Sequence, residues 1–132
     1  MTITSSPPIR VMLVDDHPMV RRGLATILKV FDDMQLVGEA EDGETAIKLC
    51  AKVLPDVILM DMFLPGMDGA AATLAIRQQC PQTQILALTS FKEGKVIKHA
   101  LAAGAIGYLL KDVSADELVR AIRAAHTGRA TL

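Results

Sequence analysis

The stretch Asp56-Val-Ile-Leu-Met-Asp-Met-Phe-Leu-Pro-Gly-Met-Asp-Gly69 decides the fold. Its first half is a continuous apolar run of strand length, which is typical of a strand buried on both faces of a parallel sheet. Its second half combines proline with glycine and predicts a turn that leads into a helix. A buried strand that ends at an acid, Asp61, and opens onto a loop and a helix is the repeating unit of an α/β sheet.

The same unit recurs along the chain, because short apolar runs alternate with longer amphipathic segments. In one such segment Val20, Leu24 and Leu28 recur at helical spacing. The predicted strands are 9–14, 35–40, 56–60, 84–88 and 106–110, and the predicted helices are 18–30, 44–54, 68–79, 93–103 and one that follows an N-cap at Ser114. Strict alternation of five strands with five helices predicts a parallel sheet with right-handed crossovers.

Composition supports a single small domain. The chain has 132 residues, of which 51% are hydrophobic and only 3% aromatic, so the core must be built from aliphatic side chains and methionine. A net charge of -1 does not favour nucleic-acid binding by this chain alone. Cys50 and Cys80 lack a metal or disulfide spacing and are expected to be buried free thiols. No apolar run approaches the roughly 20 residues that cross a bilayer, so we expect a soluble cytoplasmic protein.

The polar side chains that point to a function follow the first, third, fourth and fifth predicted strands. Asp15 and Asp16 follow the first strand, Asp61 the third, Thr89 the fourth and Lys111 the fifth. In an open α/β sheet, ligands bind beyond the carboxyl ends of the strands, where the winding direction changes. We therefore expect three carboxylates, a hydroxyl and an ammonium group to converge at one edge of the sheet.

This set of groups predicts phosphoryl chemistry beside a divalent cation. Two unit charges about 4 Å apart repel by roughly 4 kcal/mol near a protein surface, so three acids need more positive charge than Lys111 supplies. Mg²⁺ takes one or two carboxylates and leaves coordination positions for phosphoryl oxygens. A carboxylate can itself act as the nucleophile and become an aspartyl phosphate, and phosphoryl transfer requires mainly positioning and charge neutralisation.

The motifs at these strand ends resemble those of receiver domains of bacterial two-component response regulators. They are Val14-Asp-Asp-His-Pro18, the stretch from Leu59 to Gly69, Leu88-Thr-Ser90 and Tyr108-Leu-Leu-Lys111. The resemblance covers the chain from Ile9 to about Ala125. Asp-Asp-His-Pro followed by Arg21-Arg-Gly23 is similar to the NarL/FixJ subfamily, whose members carry a LuxR-type helix-turn-helix. The resemblance implies a flavodoxin-like, doubly wound five-stranded sheet of order 2-1-3-4-5 with five helices.

The resemblance also implies a metal site and a phosphoacceptor. Asp61 would accept the phosphoryl group. Mg²⁺, or Mn²⁺ in its place, would be held by Asp16, Asp61 and the backbone carbonyl of Phe63, and by Asp15 chiefly through water. Lys111 would pair with the phosphoryl oxygens.

A switch is implied as well. Thr89 would move to hydrogen-bond the new phosphate, and Tyr108 would then change rotamer to fill the vacated space. Met62, Phe63 and Phe91 are expected to crowd the entrance to the site and slow the attack of water on the phosphoryl group.

Family resemblance further implies how the domain is organised and what it meets. We expect a flexible tail over 1–8, a receiver domain over 9–127, and over 128–132 the start of a linker toward an output domain that this chain lacks. The implied donor is a sensor histidine kinase. We expect a homodimer on phosphorylation, DNA binding only through a C-terminal helix-turn-helix, no membrane association, and no turnover as an enzyme.

Other readings of the same motifs are less favourable. A haloacid-dehalogenase enzyme needs a second acid where Phe63 stands, and a flavin-binding loop would carry Ser, Thr and Gly where this chain has Asp-Asp-His-Pro. The best alternative is a receiver-like module that binds proteins without being phosphorylated, although such modules normally lack one of the acids or the lysine. His17, which precedes Pro18 at a helix start, is interpreted as structural rather than as a metal ligand.

Overall fold

The computed structural model describes residues 7–90 and 92–130, which form one parallel sheet covered by helices on both faces. The strands are β1 (Ile9–Val14), β2 (Met34–Ala40), β3 (Val57–Asp61), β4 (Gln84–Thr89) and β5 (Gly107–Leu110). The helices are α1 (Pro18–Val30), α2 (Gly43–Val53), α3 (Gly69–Gln79), α4 (Gly94–Ala103) and α5 (Ala115–His126). Each predicted element is present, and its predicted bounds are correct to within one residue.

The strand order is β2-β1-β3-β4-β5, and all four pairings are parallel, which confirms the predicted topology. β3 lies at the centre, and all five of its residues are buried. The chain moves from β1 outward to β2 and then returns past β1 to β3. The winding direction therefore changes between β1 and β3, and the carboxyl ends of these strands border the crevice where ligands bind in such sheets.

The core consists of two layers, because side chains alternate between the faces of a strand. Leu59 packs with α1 and α5 on one face, whereas Ile58 and Met60 pack with α2, α3 and α4 on the other. Both layers are aliphatic, as the low aromatic content predicts. Close packing on both faces fixes the strands, and it therefore fixes where their carboxyl ends lie.

Three polar side chains and one glycine cap the ends of helices around this sheet. Asp42, Asp68 and Ser114 are the N-caps of α2, α3 and α5, and each accepts a hydrogen bond from a backbone N–H three residues later. Gly104 ends α4 at a φ of 113°, in the left-handed region that glycine adopts without strain. The predicted cap at Ser114 is confirmed.

Two further expectations concern the cysteines and the termini. Cys50 and Cys80 are free and buried, as predicted, but Cys80 is the C-cap of α3 and does not lie inside the helix. Residues 1–6 of the predicted tail and 131–132 of the predicted linker lie outside the described residues. Within the described ranges, no helix combines the length and the apolar character needed to cross a membrane.

Two helix leucines, one buried and one exposed, test the two-layer core. Leu118 of α5 is fully buried at 0% exposure, whereas Leu74 of α3 is 49% exposed. Leu118→Ala should lower the free energy of unfolding by about 3 kcal/mol, because it removes buried methyl groups and leaves a cavity. Leu74→Ala should change it by less than about 1 kcal/mol. Urea denaturation followed by circular dichroism measures both values, and equal losses would contradict this packing.

Candidate functional site

One ammonium group joins the ends of three strands. Lys111 lies just beyond β5, and its Nζ is 3.0 Å from Oδ2 of Asp61 and 3.0 Å from Oδ2 of Asp15. The two carboxylates belong to the ends of β3 and β1, and they are 0% and 1% exposed. The backbone N–H of Lys111 donates to the carbonyl of Thr89 at 2.9 Å, which fixes the lysine against β4. The predicted convergence of strand ends is therefore present.

The β1–α1 turn holds Asp15 in place through backbone groups. Its N–H donates to the carbonyl of Ala40 at the end of β2 (3.1 Å), and its carbonyl accepts from Nη1 of Arg21 at 2.5 Å. Nε of Arg21 lies 3.3 Å from Glu39, so the guanidinium spans from the turn to the second strand. Asp15 therefore reaches the site from a backbone that is fixed on two sides.

The loop after β3 turns tightly around Asp61. Oδ1 of Asp61 accepts the backbone N–H of Phe63 at 3.0 Å, and the N–H of Met62 donates to the carbonyl of Leu88 at 3.0 Å. The first residue of α3, Gly69, packs directly against this loop. A Cβ at Gly69 would lie 2.2 Å from the carbonyl oxygen of Asp61 and 2.6 Å from Cα of Met62. Only glycine allows α3 to begin this close to the acid.

The two buried carboxylates have opposite pKa shifts. Burial raises the pKa of Asp61, and this effect exceeds the opposing effects of the Phe63 N–H and Lys111. Burial would also raise the pKa of Asp15, but hydrogen bonds from the His17 N–H, from Lys111 and from the His17 ring outweigh it, so that pKa is lowered. Burial would lower the pKa of Lys111, but the two carboxylates raise it overall. Lys111 therefore stays charged, and Asp61 is the acid with the least compensation.

The arrangement of oxygens suits a hard divalent cation. Ligand atoms of Asp15, Asp16, His17 and Asp61 all lie within 4.8 Å of one another. Oδ1 of Asp16 is buried and has no hydrogen-bond partner among the described residues; Oδ2 of Asp15 likewise has none, although it is ion-paired with Lys111. Three carboxylates against one ammonium leave two excess negative charges. A divalent cation would balance them, so the residues fit Mg²⁺.

The residues predicted to act as a switch lie on β4 and β5. Thr89, the last residue of β4, is buried at 1% exposure, and it pairs with Leu110 in β5. Tyr108 pairs with Ala87 in the same two strands and is partly buried against the α2–α4 layer. Thr89 is therefore on the strand next to that of Asp61, and Tyr108 is one strand further out; their predicted motion remains a prediction.

The side chains predicted to crowd the entrance to the site do not all lie there. Met62 is buried in the α2–α4 layer, so its side chain contributes to the core rather than to an exposed entrance. Phe63 is half exposed and can face incoming molecules. Phe91 lies outside the described residues. A shielding effect on phosphoryl lifetime therefore remains a prediction for Phe63.

Sequence reasoning missed what Arg21, His17 and Gly69 do at the site. Arg21 was noted only for its similarity to a subfamily motif, yet it holds the Asp15 backbone. The ring of His17, predicted to be structural, lies against the carboxylates of Asp15 and Asp16. The glycine after Asp68 could have been suspected, because a helix that starts directly against a loop often requires one.

Comparison with known proteins gives the family. A family model described as the response regulator receiver domain matches residues 11–123. The transcriptional regulatory protein LiaR of Bacillus subtilis is 45% identical over 124 residues, which are 94% of this chain and 59% of LiaR. The response regulator protein VraR of Staphylococcus aureus is 42% identical over 120 residues, which are 91% of this chain and 57% of VraR. The solved receiver domain of the response regulator NarL from Mycobacterium tuberculosis matches with a TM-score of 0.90 and 39% identity, and the match covers 94% of this chain and 100% of that one.

The chain therefore belongs to the response regulator receiver domain family. Its relatives assign it to the NarL/FixJ subfamily, as its opening motif predicted. It spans between half and two thirds of the length of the curated relatives it matches.

The close approach at Gly69 can be tested with a matched glycine. Gly69 and Gly94 are both the first residue of a helix, but a Cβ at Gly94 would have nothing within 4 Å. Gly69→Ala should lower the free energy of unfolding by about 2 kcal/mol, because α3 must move away from the Asp61 loop. Gly94→Ala should be nearly neutral. Urea denaturation compares the two variants, and equal stability would contradict the close contact.

The raised pKa of Asp61 predicts a pH-dependent stability. The folded state holds this proton more tightly than the unfolded state, so stability is lost as pH rises from the ordinary value of 3.8 through the raised pKa. In EDTA at neutral pH, Asp61→Asn should therefore melt a few degrees higher than the wild type. Each kcal/mol gained in the free energy of unfolding raises the melting temperature by about 4 °C in a domain of this size. The difference should vanish below about pH 4.

Thermal unfolding from pH 3 to pH 8 measures this difference, with the exposed Asp112→Asn as the control. A variant that is less stable than the wild type at neutral pH would show that ionised Asp61 is well compensated by Lys111.

Proposed function

We propose that this domain accepts a phosphoryl group on Asp61 from a phosphohistidine of a sensor histidine kinase and thereby switches a DNA-binding, transcriptional output domain. The observation that carries the proposal is the Lys111 ammonium, which lies 3.0 Å from both buried carboxylates. A lysine that only stabilised the fold would need one acid as its partner. The second acid beside Lys111 and the third acid within metal-ligand distance instead suit a site that binds a divalent cation together with a phosphoryl group.

The proposed transfer is a displacement at phosphorus. A carboxylate oxygen of Asp61 forms a bond to phosphorus as the bond from phosphorus to the donor imidazole nitrogen breaks, and the imidazole keeps that electron pair and takes up a proton. Asp61 needs no base, because it reacts as the carboxylate. Lys111 pairs with the phosphoryl oxygens during transfer, and its fixed position avoids reorganisation at that moment.

The metal would be held by Asp15, Asp16, Asp61 and the backbone carbonyl of Phe63. Mg²⁺, or Mn²⁺ in its place, would supply charge neutralisation on the phosphoryl oxygens. The chain's own residues set the geometry. Backbone contacts to Ala40 and Arg21 orient Asp15, and the Phe63 N–H orients Asp61.

The proposed switch passes through Thr89 and Tyr108. A phosphoryl group on Asp61 carries almost two negative charges and several acceptor oxygens. The Thr89 hydroxyl at the adjacent strand end is drawn to it, and Tyr108 fills the space that this movement leaves. Converting a mostly inactive domain into a mostly active one requires roughly 5 kcal/mol, and new contacts from Lys111, Thr89 and the metal can supply a large part of it.

The wider partners follow from the family and are proposals for this chain. The sensor histidine kinase is expected to reach the site past α1, where Met19 is 83% exposed. Phosphorylation is expected to favour a homodimer. DNA is contacted only through a C-terminal helix-turn-helix, and the protein is expected to be cytoplasmic. The domain is phosphorylated once per cycle and loses the group slowly by hydrolysis, so it is not a turnover enzyme.

Domain bounds of 9–127 are proposed for the receiver unit. β1 begins at Ile9, and the α5 C-cap is Thr127, so these bounds enclose every described element. Residues 128–132 are proposed as the start of the linker to the output domain.

Mass spectrometry tests the proposal on the intact protein. After incubation with Mg²⁺ and acetyl phosphate, the wild type should gain the mass of one phosphoryl group, and Asp61→Asn should gain none because the amide is not a nucleophile. Asp112→Asn, an exposed acid one residue beyond Lys111, is the matched control and should behave as the wild type does. Uptake that persists in Asp61→Asn, or a wild type that takes up nothing with or without Mg²⁺, would reject the proposed chemistry.

A further inference from the structure

The His17 side chain lies in the carboxylate cluster, although sequence alone suggests a structural residue. Its Nδ1 is 2.9 Å from Oδ1 of Asp15 and 3.2 Å from Oδ1 of Asp16. Its backbone N–H also donates to Oδ1 of Asp15 at 2.8 Å. The main chain and the ring of His17 therefore face the same group of oxygens.

The ring does not cap α1, and its Nδ1 is hydrogen-bonded to Oδ1 of Asp15. His17 is the N-cap of α1, at φ −95° and ψ 108°, but its side chain makes no capping hydrogen bond. Pro18 occupies the first turn and has no N–H to be capped. The His17 side chain is 62% exposed, so it is not held there by core packing either. Only the carboxylates account for its orientation.

The 2.9 Å contact between Nδ1 and Asp15 is a hydrogen bond, but the same separations also suit neighbouring ligands of one ion that takes the place of the shared proton, which is then released to solvent. Two ligands at right angles, each about 2.1 Å from a small divalent ion, lie about 3.0 Å apart. Nδ1 of His17 lies at this separation from both Asp15 and Asp16. Ligand atoms from all three residues and from Asp61 are mutually within 4.8 Å.

Nitrogen changes which ions such a site prefers. Mg²⁺ is a hard ion that selects oxygen and binds imidazole poorly. Mn²⁺, Co²⁺, Ni²⁺ and Zn²⁺ accept imidazole together with carboxylate, with affinity that rises along most of this series. With Mg²⁺ the ring must leave its position or stay uncoordinated, whereas with a transition ion it can join the ligands.

We propose that His17 is a metal ligand through Nδ1 and tunes the receiver site toward divalent transition ions relative to Mg²⁺. This inference rests on the metal site proposed above and adds a ligand and a selectivity to it. The domain would then bind whichever divalent ion is abundant. His17 would coordinate a transition ion, and it would stay uncoordinated when Mg²⁺ is bound.

Binding and spectroscopy on the purified protein test the inference without any phosphorylation assay. Isothermal titration with Mg²⁺ and with Ni²⁺ compares the wild type with His17→Gln. The variant should bind Ni²⁺ at least about tenfold more weakly, as loss of a metal-site partner typically causes, and it should bind Mg²⁺ as tightly as the wild type or more tightly. His126→Gln, an exposed histidine at the end of α5, is the matched control and should match the wild type with both ions.

Spin-echo spectroscopy of bound Mn²⁺ observes the ligand directly. Nitrogen modulation from a coordinated imidazole should be present in the wild type and in His126→Gln and absent in His17→Gln. A wild type without nitrogen modulation, or His17→Gln weakening Mg²⁺ and Ni²⁺ equally, would overturn the assignment of His17.

A third variant separates this inference from the metal site itself. Asp16→Asn should weaken both ions strongly, because it removes a carboxylate common to both modes of binding. If Asp16→Asn leaves both affinities unchanged, the proposed metal site is wrong and the His17 inference falls with it. If Asp16→Asn weakens both ions while His17→Gln changes neither, only the His17 inference fails.

Discussion

The site depends on one constraint: a single ammonium group, Lys111, lies between the two buried carboxylates of Asp15 and Asp61. Two acids at adjacent strand ends repel each other, and burial makes that repulsion stronger. Burial is the main cause of the raised pKa of Asp61, the charge of Asp15 adds to it, and the Phe63 N–H and Lys111 offset only part of these effects. The site is thus short of positive charge, and in the proposed function this shortage favours a bound cation and a phosphoryl group on Asp61.

The fold supplies the rigidity that this arrangement needs. Aliphatic layers on both faces fix β1 and β3, so the acids at their ends cannot move apart to relieve their repulsion. Arg21 fixes the backbone of Asp15 from one side, and Gly69 lets α3 press against the Asp61 loop from the other. The packing free energy of the domain thus stabilises a local arrangement of charges that would be unfavourable in isolation.

The fold and the convergence of acids were predictable because they follow from periodicity. Strand and helix patterns fix which residue comes last in each strand, and a parallel sheet brings all those residues to one edge. Side-chain direction is different, because it depends on rotamers and neighbours that no local pattern encodes. The sequence therefore led to Asp61 and Lys111 but did not show which way the side chains of His17 and Met62 point: the His17 ring contacts Asp15, and Met62 packs in the core. The reach of Arg21 to the Asp15 carbonyl was missed for the same reason.

A crystal structure of the domain grown with Mn²⁺, with anomalous scattering recorded at the manganese edge, tests the charge shortage most directly. The geometry predicts a single strong anomalous peak within about 2.5 Å of carboxylate oxygens of Asp16 and Asp61, with Lys111 still beside Asp61. If saturating Mn²⁺ gave no anomalous peak at these oxygens while the Lys111 contacts stayed unchanged, one ammonium group would be enough to compensate the carboxylates. That result would contradict the central claim.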